Sequence, residues 1–178
     1  MAGFLVGSLL GATDGGWISS LFSGPLARVG LIAGDLVFGA CIGLAQWLVL
    51  RALHWRGLSA WWIALTAVGF LVGARLGPII SFRLASETAA LAVVFGIVMG
   101  GAQGVATWWL VRRLTARSVV WILVMTVAWI VGELIAFHLD FSHWGVPMVG
   151  AAIAAVTGVY LFALAHSAPA ATPQGSPS

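Results

Sequence analysis

The chain has 178 residues, of which 61% are hydrophobic and 7% charged, and its mean hydropathy is +1.07. Soluble domains carry about a quarter charged residues, so this composition excludes an ordinary soluble fold, and five or six spans of about 20 residues would use up these residues. The basic residues are eight arginines and no lysine; without a basic stripe interleaved with aromatics they read as orientation signals and headgroup contacts, and no nucleic-acid partner is expected.

The N-terminal segment, 1–28, opens MAGFLVGSLLGATDGG. It lacks a positive n-region and a small-residue cleavage site, so it reads as retained. Gly3, Gly7, Gly11 and Gly15 stand at four-residue spacing. Four residues advance a helix by about 400°, which lays these glycines along one face as a zipper. Residues 2–22 are long enough to span but are interrupted by Thr13, Asp14, Gly15 and Gly16. A span is the expectation, with an interfacial helix as the alternative.

The first hairpin, 29–80, is expected to hold spans at 29–51 and 59–79. The second, 88–138, is expected to hold spans at 88–111 and 118–137. A C-terminal helix at 146–166 follows, then an Ala/Pro/Ser-rich tail at 167–178, expected to be disordered. The two hairpins read as copies: VFGACIGLAQ (Val37 to Gln46) returns as VFGIVMGGAQ (Val94 to Gln103), and Trp62 and Gly73 return as Trp121 and Gly132. Gln46 precedes Arg51 by five residues, whereas Gln103 precedes Arg112 by nine. The extra four residues are about one helical turn. Two helices per unit bring both copies into the membrane from the same side, so a parallel relation is expected. The last helix carries Gly150, Ala154 and Gly158 at four-residue steps, like a partial third copy without the Gln.

Two loops carry Arg51 and Arg56, and Arg112, Arg113 and Arg117. The positive-inside rule puts these loops and the C-terminus in the cytoplasm of a bacterial inner (cytoplasmic) membrane. Trp55, Trp61, Trp62, Trp108, Trp109 and Trp121 gather at the same loops, where an aromatic belt is expected.

Gly39 and Gly43, and Gly96 and Gly100, are GxxxG pairs expected to pack helices, either within the fold or against another subunit. Gln46 and Gln103 follow the first Gly of each pair by seven residues, near two turns, so each points into the bundle. An amide in hydrocarbon needs partners; the two are expected to be interhelical glue, with a ligand or ion path as the alternative. Ionisable residues within spans are the sharpest functional signal. Asp35, Arg75 and Glu133 fall at one depth on the outer side, with His138, Asp140 and His143 just beyond. An ion pair of Arg75 with Asp35 or Glu133 is the plain reading, and a polar ligand pocket or proton relay the sharper one. His138-x-Asp140-x-x-His143 is too weak a pattern to assign a metal. His54 and His166 read as interfacial, and the lone Cys41 as a small apolar residue. No catalytic motif is present and no cofactor is indicated.

The run Gly39, Gly43, Ala45, Gln46, Trp47, Leu48, Val49, Leu50, Arg51 resembles a loose group of uncharacterised bacterial multi-pass membrane proteins. These are built from repeated Gly-rich GxxxGxxQWLVLR hairpins. The resemblance covers roughly 35–164, with Trp61-Trp62 and Thr157-Gly158 fitting its later helices. The second copy departs from it, with Gly104 in place of the Trp and its Arg a turn later. The resemblance implies the fold and no activity.

The expectation is therefore an all-α integral membrane protein of five to six transmembrane helices. It would be a non-enzymatic accessory or scaffold subunit, touching the lipid bilayer and other membrane helices in a hetero- or homo-oligomer. The alternative is a small transporter or channel-like protein, with Gln46 and Gln103 along a path and Asp35, Arg75 and Glu133 at its mouth. A third reading is an intramembrane enzyme using Asp35 and Glu133 as acid and base.

Overall fold

A computed structural model of the chain describes residues 21, 24–52, 59–113, 118–138 and 145–167. The candidate span at 2–22, the tail beyond residue 167, and Asp14, His54, Trp55, Asp140 and His143 lie outside the described residues.

A 3-10 turn at Gly24–Leu26 leads into five helices: α1 (Ala27–Ala52), α2 (Trp61–Leu84), α3 (Thr88–Val111), α4 (Val119–His138) and α5 (Gly145–Ser167). No strand occurs among the described residues. Helices α1 to α4 are long and apolar enough to cross a membrane, and α5 carries a shorter apolar stretch, Met148–Leu164. The helices are apolar on the outside as well as inside. Leu48, Val49, Val72, Ile79, Val105, Leu123 and Val127 are all exposed. A helix apolar all round needs either a protein core or lipid on its outer face, so the chain is a multi-pass helical membrane protein.

Helix α2 runs five residues past the expected end at residue 79, with Pro78 inside it. Proline removes a helical N–H, but in a membrane bundle neighbouring helices and hydroxyls accommodate it. The Ser81 hydroxyl donates back to the Gly77 carbonyl at 2.7 Å, an ordinary i−4 bond of a helical serine.

Backbone packing runs strictly between chain neighbours: α1 on α2, α2 on α3, α3 on α4 and α4 on α5. Glycines set each approach. A Cβ placed on Gly39 would lie 2.7 Å from the Cα of Ala67, and one on Gly43 2.9 Å from the Cα of Ile63. Gly69 and Gly73 of α2 face Gln103 and Met99 of α3, and Gly96 and Gly104 of α3 face Ile130 and Ile122 of α4. These pairings run in opposite chain directions, so successive helices are antiparallel. Rings close the centre: Phe38 meets Phe70 at 4.6 Å, Phe70 meets Trp129 at 6.0 Å, and Trp62 meets Trp121 at 5.7 Å. Aromatic pairs at such separations add stabilisation beyond the area they bury.

The tryptophans divide differently from the expected belt. Trp62 and Trp121 are fully buried in the core. Trp61 and Trp109 are exposed at the hairpin-loop end. Arg113 stacks over Trp109 at 4.1 Å, and Arg51 over Trp47 at 4.8 Å. Adjacent residues point about 100° apart on a helix, so Trp61 faces outward when Trp62 faces in.

Candidate functional site

The two glutamines bond to different tryptophans. Gln46 Oε1 accepts from Trp62 Nε1 at 3.1 Å, joining α1 to α2. Gln103 Oε1 accepts from Trp129 Nε1 at 2.8 Å, joining α3 to α4, and Gln103 is fully buried. Trp121, which matches Trp62 in sequence, donates instead to Thr107 Oγ1 at 2.8 Å. The cause is register. Gly39 faces Ala67 across α1 and α2, but Gly96, its counterpart, faces Ile130, one turn beyond the counterpart of Ala67. Relative to the first hairpin, α4 is offset by a turn along α3, which carries Trp121 away from Gln103. Thr107 stands one turn after Gln103, within reach of Trp121. Its own hydroxyl donates back to the Gln103 carbonyl at 2.7 Å. One amide group stays behind: Gln103 Nε2 is buried with no hydrogen-bond partner among the described residues. Thr107 and Trp129 were not singled out in the sequence, although Thr107 follows Gln103 by four residues on the same face.

Asp35 and Arg75 form an ion pair across α1 and α2. Asp35 is buried and the Arg75 side chain is 41% exposed. A buried carboxylate is tolerated when a guanidinium meets it directly, so this pair fixes α1 against α2 near the end opposite the hairpin loops.

Glu133 is not part of that pair. It is buried, 7% exposed, and makes no hydrogen bond or ion pair with any described residue. It lines a cleft of about 410 Å³ between α2, α3 and α4, with Pro78, Phe82, Ala92, Phe95 and Phe137 among the walls. The common depth of Asp35, Arg75 and Glu133 therefore divides into two sites. His138, at the end of α4, is exposed, and its Nδ1 lies 2.8 Å from the Leu134 carbonyl oxygen. The other two members of the His-Asp-His pattern fall outside the described residues.

The backbones of α1 and α5 stay more than 8 Å apart, although Ile42 and Leu50 of α1 and Ile153 and Leu161 of α5 belong to one buried core. A crevice separates them, lined by Ala45, Gln46 and Val49 of α1 and by Gly150, Ala154 and Gly158 of α5. A Cβ on Gly158 would meet nothing within 4 Å. Thr157, on the same stretch, is buried and donates to the Ile153 carbonyl at 2.6 Å. The glycines of the α1–α4 interfaces are filled by a neighbouring backbone or side chain, whereas Gly158 stands open.

No protein-family model, curated protein or solved structure matches the chain.

Proposed function

We propose that the protein is a non-enzymatic accessory or scaffold subunit of a larger membrane assembly, and that a partner's transmembrane helix seats between α1 and α5. The observation that carries this reading is the small-residue wall of the crevice, Gly150, Ala154 and Gly158, of which Ala154 and Gly158 are exposed and Gly158 has nothing within 4 Å of its missing Cβ. In lipid there is little hydrophobic drive between helices, and close approach over small residues is a main source of association. The GxxxG pairs Gly39/Gly43 and Gly96/Gly100 already lie against α2 and α4, which leaves the α5 groove as the candidate external surface among the described residues. The arginine-bearing loops support an orientation with both hairpin loops and the C-terminus cytoplasmic, in a bacterial inner membrane. The repeated Val-Phe-Gly segments support a parallel relation of the two hairpins.

The test is photo-crosslinking in the native membrane from a reactive residue at Ala154, with mass spectrometry of the adduct. The expected product is a specific partner protein, whose yield falls at least tenfold when Gly158→Leu fills the groove while the protein remains folded. A protein that purifies alone, with crosslinks only to lipid or to its own N-terminal segment, overturns the reading.

A further inference from the structure

Glu133 presents a chemical problem that the rest of the fold does not solve. Its side chain is buried between helices that are apolar on every side, and no described arginine, histidine or hydroxyl reaches it. An ionised carboxylate in such a medium is costly unless a cation meets it. Asp35 has Arg75 for this purpose. Glu133 has instead an open cleft of about 410 Å³, within the range of about 300–1,000 Å³ usual for small-molecule pockets.

The cleft's remaining walls define what would fit. Among the described residues lining it, Glu133 is the sole ionisable group. Three phenylalanines, Phe82, Phe95 and Phe137, stand around it. The only other side-chain polar groups there are the hydroxyls of Ser81, which is turned back to the Gly77 carbonyl, and Thr88 at the start of α3. Phe82 is 76% exposed, and with Thr88 and Phe137 it places the cleft near the ends of α2, α3 and α4. Gly77 contributes by its lack of a side chain: a Cβ there would lie 2.7 Å from the Phe95 ring. Phenyl rings attract cations through their faces, and a single carboxylate supplies the counter-charge. An anionic ligand would meet no donor except Thr88 and would face Glu133 as a like charge.

We propose that this cleft binds a lipophilic organic cation, with the Glu133 carboxylate as counter-ion and the rings of Phe82, Phe95 and Phe137 as its walls. The site lies on α2, α3 and α4 and shares no residue with the crevice between α1 and α5, so it stands or falls separately from the scaffold reading.

The experiment uses the purified full chain in neutral detergent, titrated with tetraphenylphosphonium and followed by calorimetry and tryptophan quenching. Tetraphenylborate, similar in shape and opposite in charge, is the control. The expected result is one saturable phosphonium site, at least tenfold weaker in Glu133→Gln, with no saturable borate binding. Phe82→Ala, at an outward-facing position that the fold does not need, is expected to weaken binding several-fold with the melting profile unchanged. Absence of saturable phosphonium binding to the wild type overturns the proposal. So does equal binding of the borate ion, or an affinity unchanged in both Glu133→Gln and Phe82→Ala.

Discussion

Gly100 and Gly101 are adjacent in α3 and have opposite surroundings. A Cβ on Gly100 would run into the Cα of Thr126, with the Met125 carbonyl oxygen at 2.6 Å and the Thr126 nitrogen at 2.8 Å. All three are backbone atoms of α4 and cannot rotate away. Relieving the 2.6 Å contact to about 3.4 Å, where ordinary van der Waals contact begins, requires α4 to retreat by about 0.8 Å. A gap of that size forfeits roughly a quarter to a half of each dispersion contact along the interface. Gly100→Ala should therefore cost about 1–3 kcal/mol, the usual range for overpacking. A Cβ on Gly101 meets nothing within 4 Å. Gly101→Ala should be neutral, or stabilise by up to about 1 kcal/mol through helix propensity. Both variants can be unfolded from mixed micelles with SDS and followed by fluorescence of the ten tryptophans. Equal stability of the two variants would refute the inference that backbone approach at Gly100 holds α3 to α4.

Trp129→Phe should cost about 1 kcal/mol by stranding the Gln103 oxygen in the core, and Gln103→Met, which also removes the orphan amide nitrogen, should cost less. The double variant should be no less stable than Trp129→Phe alone, and a double-mutant cycle by SDS unfolding checks this. Arg75→Ala leaves the Asp35 carboxylate buried without a partner and should cost about 1–3 kcal/mol, reduced from a fully buried pair by the exposure of the guanidinium. Combining it with Asp35→Asn should restore part of the loss; no recovery would mean that Arg75 acts through its packing. In a Cys41→Ser background, cysteines at Ala60 and Arg113 should react with impermeant maleimide from one face of sealed vesicles, and one at Glu87 from the other. Labelling of all three from one face would contradict the antiparallel order.

The helical membrane class was readable because long apolar runs separated by short arginine-bearing loops admit few alternatives. Helix positions came within a few residues, except where α2 continues through Pro78. Azimuth was harder. Trp61 and Trp62 both suggested an interface, yet one faces outward and the other is fully buried. The same ambiguity joined Glu133 to Asp35 and Arg75: position along a span gives depth, but only packing shows that α1 and α4 are not neighbours. The four extra residues before Arg112 were visible in the sequence. The one-turn offset that hands Trp121 from a glutamine to Thr107 was not, because it depends on where the glycines of α3 meet α4. The crevice between α1 and α5 had no signature of its own, since it depends on how far apart their backbones stand.

That every helix rests on the one before it has a consequence for how the molecule is assembled. Contacts between chain neighbours close short loops, so the ordering entropy lost at each step is small and folding is fast. A helix leaving the insertion machinery finds its docking surface already in the membrane, with no need to wait for a distant segment to be synthesised. Helices α1 to α4 can therefore set hairpin by hairpin during translation. Among the described helices α5 follows them, and it is the one that presents an open glycine, Gly158, beside the crevice.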